Sequence, residues 1–319
     1  MDLQAFPKAE LHCHLDGVLS PAMARAIRRD DLAFPIAPED FTPYYPVKDI
    51  ESFVKWWRVL DPLNDELMRF FPILAQHIAA LKAQNVRYAE LMIPSSEVPR
   101  DIGAAVETFT ALHACANQHA AGGINVAFLI AFGRGKTLEA VEEIADRVIA
   151  LHEDGLVVGV ALAGLEHKNP VKAYARTFAR YHEAGLRIEI HAGEWCGPES
   201  VWDALEHGHP DRIGHGVSLF RDPALVELFQ ERQIHIEMCP TSNVKTGSVT
   251  RIEEHPIRRA RDLGLNFSIN TDDPGPFLNS LTSEYQLLVD TFGFDEADFR
   301  RIYANALSAR FSTRAIIPR

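Results

Sequence analysis

The stretch YHEAGLRIEIHAGE (residues 181–194) decides how the chain folds. A helix-period segment stops at Gly185, a residue type that tolerates the left-handed backbone of a helix C-terminus. A short aliphatic run, LRIEIHAG, follows at strand spacing. The run ends on polar residues, His191 and then Glu194. Helix, glycine, strand and polar tip form a unit that recurs along the sequence. RDLGLNFSI near Gly264 has the same helix-to-strand junction.

Eight such runs are present: AELHCH (9–14), VRYAELMI (86–93), INVAFLIAF (124–132), LVVGVALAG (156–164), LRIEIHAG (186–193), DRIGHG (211–216), IHIEMCP (234–240) and LNFSINTDD (265–273). Helical segments over 101–120, 137–153, 169–185 and 223–233 lie between them. Strands separated by helices pair in parallel through crossovers. No strand leads into GxGxxG, the mark of an open dinucleotide-binding sheet. The expected fold is therefore α/β, a (β/α)8 TIM barrel occupying residues 1–319 as one domain. Extra helices around 51–63 and 65–84 are inserted after the first strand, where they can cover the barrel mouth. Trp56 and Trp57 in that insertion either touch a ligand or pack the lid onto the barrel.

The 319 residues carry a formal charge of −12 and 47% hydrophobic content, material for a large core. The acidic excess, without a Lys/Arg stripe, argues against a nucleic-acid partner. The basic run at Arg258, Arg259 and Arg261 reads as a solvated helix end. Cys13, Cys115, Cys196 and Cys239 form no CxxC pair, and so few cysteines in a long chain fit a reducing compartment. MDLQAFPKAE has neither a basic nor an apolar leader region, and no apolar run approaches the roughly 18 residues of a membrane span. A cytoplasmic protein with no membrane partner is expected. No signal bears on oligomeric state.

Polar residues gather at the strand ends, where barrel enzymes build their sites. His12 and His14 are two apart and share a strand face. His191 ends the fifth run, His215 the sixth, and Asp272 and Asp273 the eighth. Each alone has a plain structural reading: Glu194 as a first-turn acid before Pro198, or Asp272–Asp273 as a turn before Pro274. Together, three imidazoles and a carboxylate suit a borderline-soft divalent cation, with Zn2+ the obvious choice. Glu194, three residues beyond His191, is placed to donate a proton if burial raises its pKa.

PKAELHCHLDG, LAGLE, HAGE, RIGHG, CPTSN and NTDDPG occur in an order that resembles the adenosine deaminase family of the amidohydrolase superfamily. The resemblance implies that His12, His14, His191 and Asp272 bind one zinc ion per chain, with His14 also bordering the substrate. His215 would hold the attacking water and assist its deprotonation. Glu194 would protonate N1 of a 6-aminopurine, Asp273 would bond N7, the Gly164 backbone would meet N3, and Asp16 a ribose hydroxyl. Strand four, VVGVALAG, lacks the lysine that bridges two metals in binuclear relatives, and Lys168 beyond it reads as a loop cation.

The resemblance leaves the purine's tail open. Adenosine or 2′-deoxyadenosine comes first; 6-aminodeoxyfutalosine, adenine and an N6-substituted AMP are the alternatives. A mononuclear amidohydrolase of a non-purine amide and a silent metal-binding homologue are more distant readings. HLDG, where adenine-specific relatives tend to carry glutamate, favours a sugar-bearing substrate. No basic cluster is evident at the strand ends, which counts against a phosphorylated one. Leu165, Ala161 and the segment MIPSSEVPR depart from the family's pattern, and Ser95, Ser96 and Glu97 are candidates for contact with the tail. Ser242 and Asn243 of CPTSN read either as helix caps or as substrate contacts.

Overall fold

The computed structural model describes residues 1–64 and 66–312. Eight strands form one sheet in sequence order, each neighbouring pair parallel: β1 Lys8–Glu10, β2 Val86–Pro94, β3 Asn125–Gly133, β4 Gly159–Ala163, β5 Arg187–Ala192, β6 Arg212–His215, β7 His235–Met238 and β8 Phe267–Ile269. Sequential parallel strands with intervening helices close into the expected (β/α)8 barrel. Gly185, with φ at +82°, makes the helix-to-strand junction as expected.

Closure happens at the rim. β1 keeps regular pairing only to Glu10, short of the run expected to reach His14. Beyond it, single bridges join Cys13 to Asp272 and His14 to Met92. The His14 amide donates to the Asp272 carbonyl at 3.0 Å, and the Asp272 amide donates to the His12 carbonyl at 3.0 Å. The backbone bonds that seal first strand to last therefore belong to residues whose side chains enter the site. Regular β8 ends at Ile269 because Asp272 turns into the left-handed region, φ +64°; His215 at the tip of β6 does the same, φ +63°. Such backbone costs about 1–3 kcal/mol per residue and persists only where its surroundings over-determine it.

Three helices fill the insertion between β1 and β2: α1 Pro21–Asp30, α2 Ile50–Trp56 and α3 Phe71–Ala83. Ser20 caps α1 and Asp49 caps α2. Trp56 is fully buried and packs the lid, whereas Trp57 borders the barrel mouth. Phe53 of α2 stacks on Phe277, ring centroids 5.1 Å apart, so the lid rests on the helical turn Pro274–Phe277 that follows Asp273. The next two crossovers are α4 Ile102–Ala120 and α5 Leu138–Glu153, capped by Asp101 and Thr137. Within 169–185 the backbone is tight 3-10 helix over Val171–Tyr174 before α6, Ala175–Glu183. Among the described residues no helix is long and apolar enough to cross a membrane.

The floor of the barrel is ionic. Buried Arg212 donates to Glu90 at 2.6 Å, lies 2.5 Å from Glu237, and bonds the Ala309 carbonyl at 3.1 Å. Its guanidinium sits 3.4 Å from the centroid of Phe311, which plugs the barrel from below. Glu90 also accepts from the Phe311 amide at 2.6 Å. Removing one partner strands the others as uncompensated buried charge, which typically costs 3–5 kcal/mol. Arg212→Met is predicted to destabilise the protein by about 3–5 kcal/mol in urea unfolding; a loss under about 1 kcal/mol, the scale of an exposed pair, would contradict a structural role for this cluster.

Candidate active site

His12, His14, His191 and Asp272 converge at the C-terminal rim, each offering one ligand atom, with all four atoms within 4.8 Å of one another. The Nε2 atoms of His14 and His191 lie 3.3 Å apart. Burial holds both rings neutral, with pKa values pushed down to about 3. His12 Nδ1 faces Glu237 at 2.8 Å and His191 Nδ1 faces Glu189 at 3.2 Å. Carboxylates behind the rings fix Nδ1 as the protonated nitrogen and turn the Nε2 lone pairs inward. His12 Nε2 is buried without a hydrogen-bond partner and lies 3.4 Å from Asp272 Oδ1. Three inward-facing imidazole nitrogens beside a carboxylate, the one on His12 without a hydrogen-bond partner, fit a divalent cation that would replace the His12 proton.

The charge state agrees. Against the burial that opposes both charges, His12 is held well above its ordinary pKa by Asp272 and Glu237, and Asp272 well below its own, chiefly by His12. A proton on His12 thus balances the site when no cation does. Close approach demands two glycines here. A Cβ on Gly17 would fall 1.9 Å from Asp273 Oδ1, and one on Gly214 would fall 2.2 Å from Glu189 Oε1.

Glu194 is buried on the loop after β5, not on a helix cap. Glu166 of LAGLE holds that loop, accepting the backbone amides of Gly193 (3.2 Å), Glu194 (2.6 Å) and Cys196 (3.2 Å). Burial first, then the charges of Asp272 and Glu166, keeps the Glu194 carboxyl well above the usual range. Its Oε1 faces Asn243 Nδ2 at 3.5 Å, while Oε2 has no hydrogen-bond partner. A protonated, unengaged carboxyl oxygen is a donor awaiting an acceptor.

A chain of hydrogen bonds fixes the tautomer of His215. The Ile257 amide donates to His255 Nδ1 (3.1 Å), leaving His255 Nε2–H to donate to Asn243 Oδ1 (3.1 Å). Asn243 Nδ2 then donates to His215 Nδ1 (3.1 Å). Burial keeps His215 neutral, so its proton resides on Nε2, 3.5 Å from Glu194 Oε2. His215 is therefore built to donate into the site; accepting a proton from water would require the tautomer that Asn243 disfavours. Asp273 is pushed well above the ordinary range by burial and by Asp272 and Asp16, with Oδ1 unpartnered. Burial raises Asp16 to about 7.

These groups line one cavity of about 250 Å3, together with Gly164, Ser95, Ser96, Phe53, Trp57 and Thr246. Gly164 has φ +85°. Ala161 packs instead within the barrel against Met92 and Leu129, and neither it nor Leu165 lines the cavity. Glu97 is buried and off the cavity wall, whereas Lys168 is exposed as expected. Ser242 and Asn243 are neither caps nor cavity lining: Ser242 donates to Asp272 Oδ2 at 2.5 Å, and Asn243 orients His215.

The adenosine deaminase family model matches residues 7–315. The chain belongs to the adenosine deaminase family. It is 35% identical to the aminodeoxyfutalosine deaminase of Streptomyces avermitilis, covering 97% of this chain and 89% of that protein. It is 32% identical to the adenine deaminase of Agrobacterium fabrum, covering 97% and 94%. Among solved structures it is similar to an amidohydrolase from Burkholderia ambifaria with bound Zn, TM-score 0.82 and 25% identity, covering 97% of this chain and 87% of the other. In the structure His12, His14, His191 and Asp272 converge, and Glu194, His215 and Asp273 line the cavity beside them. Of the buried charges behind the rings of this adenosine deaminase family site, Arg212 opens RIGHG, whereas Glu189 and Glu237 are marked by none of those motifs. A glutamate between two apolar residues in RIEIH and HIEMC is their one visible signal.

Cation uptake by the four donors should expel the proton from His12 near neutral pH, because that proton binds well above pH 6.5 in the cation-free chain. Zinc titration calorimetry in buffers of different ionisation enthalpy is predicted to show release of roughly one proton per ion. Uptake of protons, or none exchanged, would contradict a site whose charge is balanced by protonated His12.

Proposed function

We propose that the chain is a zinc-dependent hydrolase that deaminates a 6-aminopurine carrying an extended substituent on N9, with 6-aminodeoxyfutalosine the first candidate substrate. The observation that carries the chemistry is the buried, protonated Glu194 beside the four-ligand cluster. Two features support an extended substituent. A second cavity of about 450 Å3 shares Ser95, Ser96 and Lys136 with the first, more room than a bare base needs. A relative at 35% identity acts, by its name, on aminodeoxyfutalosine. Adenosine, the first expectation from the motifs, shares the chemistry but leaves the second cavity unused; adenine leaves Asp16 and both serines unused. Four unpaired cysteines fit a cytoplasmic, reducing setting.

His12, His14, His191 and Asp272 would hold the ion. One divalent cation there lowers the pKa of a water from near 15.7 toward about 7. The chain's own residues do the rest. His215 Nε2–H and Asp272 position the attacking water beside C6. Protonated Asp273 donates to N7, the Gly164 backbone bounds the N3 edge, and Asp16 meets a ribose hydroxyl. Glu194 Oε2 delivers its proton to N1 as the C6–N1 double bond is lost, offsetting charge that would otherwise build on the ring. The hydroxyl proton at C6 moves to the amine, the C–N bond breaks and ammonia leaves. The Asp272 carboxylate takes the proton the water loses as C6–O forms, and that proton then restores Glu194, so one water is consumed and one ammonia released.

Glu194→Gln is predicted to retain its zinc, measured by elemental analysis, while kcat falls by about 10^2–10^4-fold. Ammonia release from 6-aminodeoxyfutalosine, adenosine, adenine, AMP and a simple cyclic amide tests the substrate. Highest kcat/KM is expected for 6-aminodeoxyfutalosine. Turnover confined to the cyclic amide would overturn the deaminase reading, and preference for adenine would overturn the extended substituent.

A further inference from the structure

The second cavity shares Ser95, Ser96 and Lys136 with the catalytic one. Among the described residues Lys136 is the one Lys or Arg on the wall of the catalytic cavity. It sits in the turn after β3, where its amide bonds the Gly133 carbonyl at 3.0 Å and Thr137 next to it caps α5. That turn lies at the C-terminal rim, two strands from β1 and two from β5. The ammonium makes no hydrogen bond or ion pair among the described residues, although its side chain is partly shielded.

Two more cations extend the wall outward. Arg100, exposed after the β2 tip, also makes no ion pair among the described residues. Arg147 of α5 donates to the Pro99 carbonyl at 3.3 Å and keeps a buried Nε without a partner. The acids on this wall do not cancel them: Asp146 is engaged by Arg180, and Glu143 is one exposed carboxylate against three cations. No basic cluster is evident at the strand ends from the sequence. Arg100 follows β2, Lys136 follows β3 and Arg147 lies on α5, and the structure brings all three to the wall of one cavity.

We infer that Lys136, with Arg100 and Arg147 behind it, forms a subsite for an anionic group, a carboxylate or phosphate, at the far end of the purine's N9 substituent. The inference rests on the proposed deaminase reading and narrows its substrate class. A base held by Glu194 and Asp273 directs its N9 substituent past Asp16 and the two serines toward Lys136. In a mouth otherwise lined by Phe53, Trp57 and acids, the unpaired ammonium favours a substituent that ends in negative charge. A charge-assisted bond at this half-buried position is worth about 10- to 100-fold in kcat/KM.

The test uses the zinc-loaded enzyme and three 6-aminopurine nucleosides: one with a carboxylate-terminated 5′ tail, the methyl ester of the same compound, and AMP. For the wild type, the carboxylate is expected to exceed its ester in kcat/KM, with an advantage that shrinks as salt rises. Lys136→Met, which keeps the aliphatic stem, is predicted to cut the carboxylate-to-ester ratio about 10- to 100-fold, and Arg100→Ala to cut it further. A ratio unchanged by either substitution, or wild-type enzyme preferring the ester, would overturn the subsite. AMP outperforming the carboxylate would assign the subsite to phosphate. Enzyme that deaminates none of the three fails the parent reading as well, an outcome visible before any variant is made.

Discussion

The structure depends on a buried relay of charge beneath the rim: His12 to Glu237 (2.8 Å), Glu237 to Arg212 (2.5 Å), and Arg212 to Glu90 (2.6 Å). Every member is fully or almost fully buried. Isolated, any one of these groups would be expelled or neutralised; joined, each satisfies its neighbour. The relay also runs the height of the barrel. Its lower end is locked by the Phe311 amide and ring, its upper end by the imidazole that faces the metal site. Coulombic balance within it is uneven: burial and the neighbouring Glu237 push Glu189 well above the usual range, while Arg212 and His12 hold Glu237 below it. Negative charge is thus favoured on Glu237, bonded to His12 and Arg212, over Glu189.

The rim divides its labour by strand. The tips of β1, β5, β6 and β8 carry the residues proposed to hold the ion, donate the proton and position the water. The segments after β2 and β3 carry the serines and cations proposed to meet the purine's substituent. Closure makes this division stable, since the amides of His14 and Asp272 are the hydrogen bonds that join the two edges of the sheet. A chain that failed to close would lose its ligands at the same moment. The left-handed backbone at His215 belongs to the same constraint: out of alternation with the inward-facing Arg212 and Gly214, its side chain enters the site from a position where a regular strand would turn it away.

Much of this is legible in the sequence. Alternating strand and helix signals specify the barrel, and HxH, HAGE, RIGHG and TDDP mark the strand ends because each is a polar break in an apolar run. Three parts are not legible. Strand ends in β1 and β8 are shorter than their apolar patterns, since tertiary hydrogen bonds replace regular pairing there. The buried glutamates look like the polar half of an ordinary alternating strand, and only closure of the barrel shows that their face is interior. The tautomer of His215 depends on Ile257, His255 and Asn243, whose distance from it in sequence hides the connection. Trp56 and Trp57 illustrate the same limit, adjacent in sequence yet one buried in the lid and one at the mouth.

All of the proposed chemistry requires that four side chains from three separate regions grip one ion. Anomalous diffraction at the zinc absorption edge from crystals grown with zinc tests that most directly. A single strong peak per chain is predicted, bonded to His12, His14 and His191 Nε2 and to an Asp272 carboxylate oxygen at about 2.0–2.2 Å. A second peak of similar height beside it, or a peak elsewhere with these four side chains unbonded, would contradict a mononuclear site at this rim.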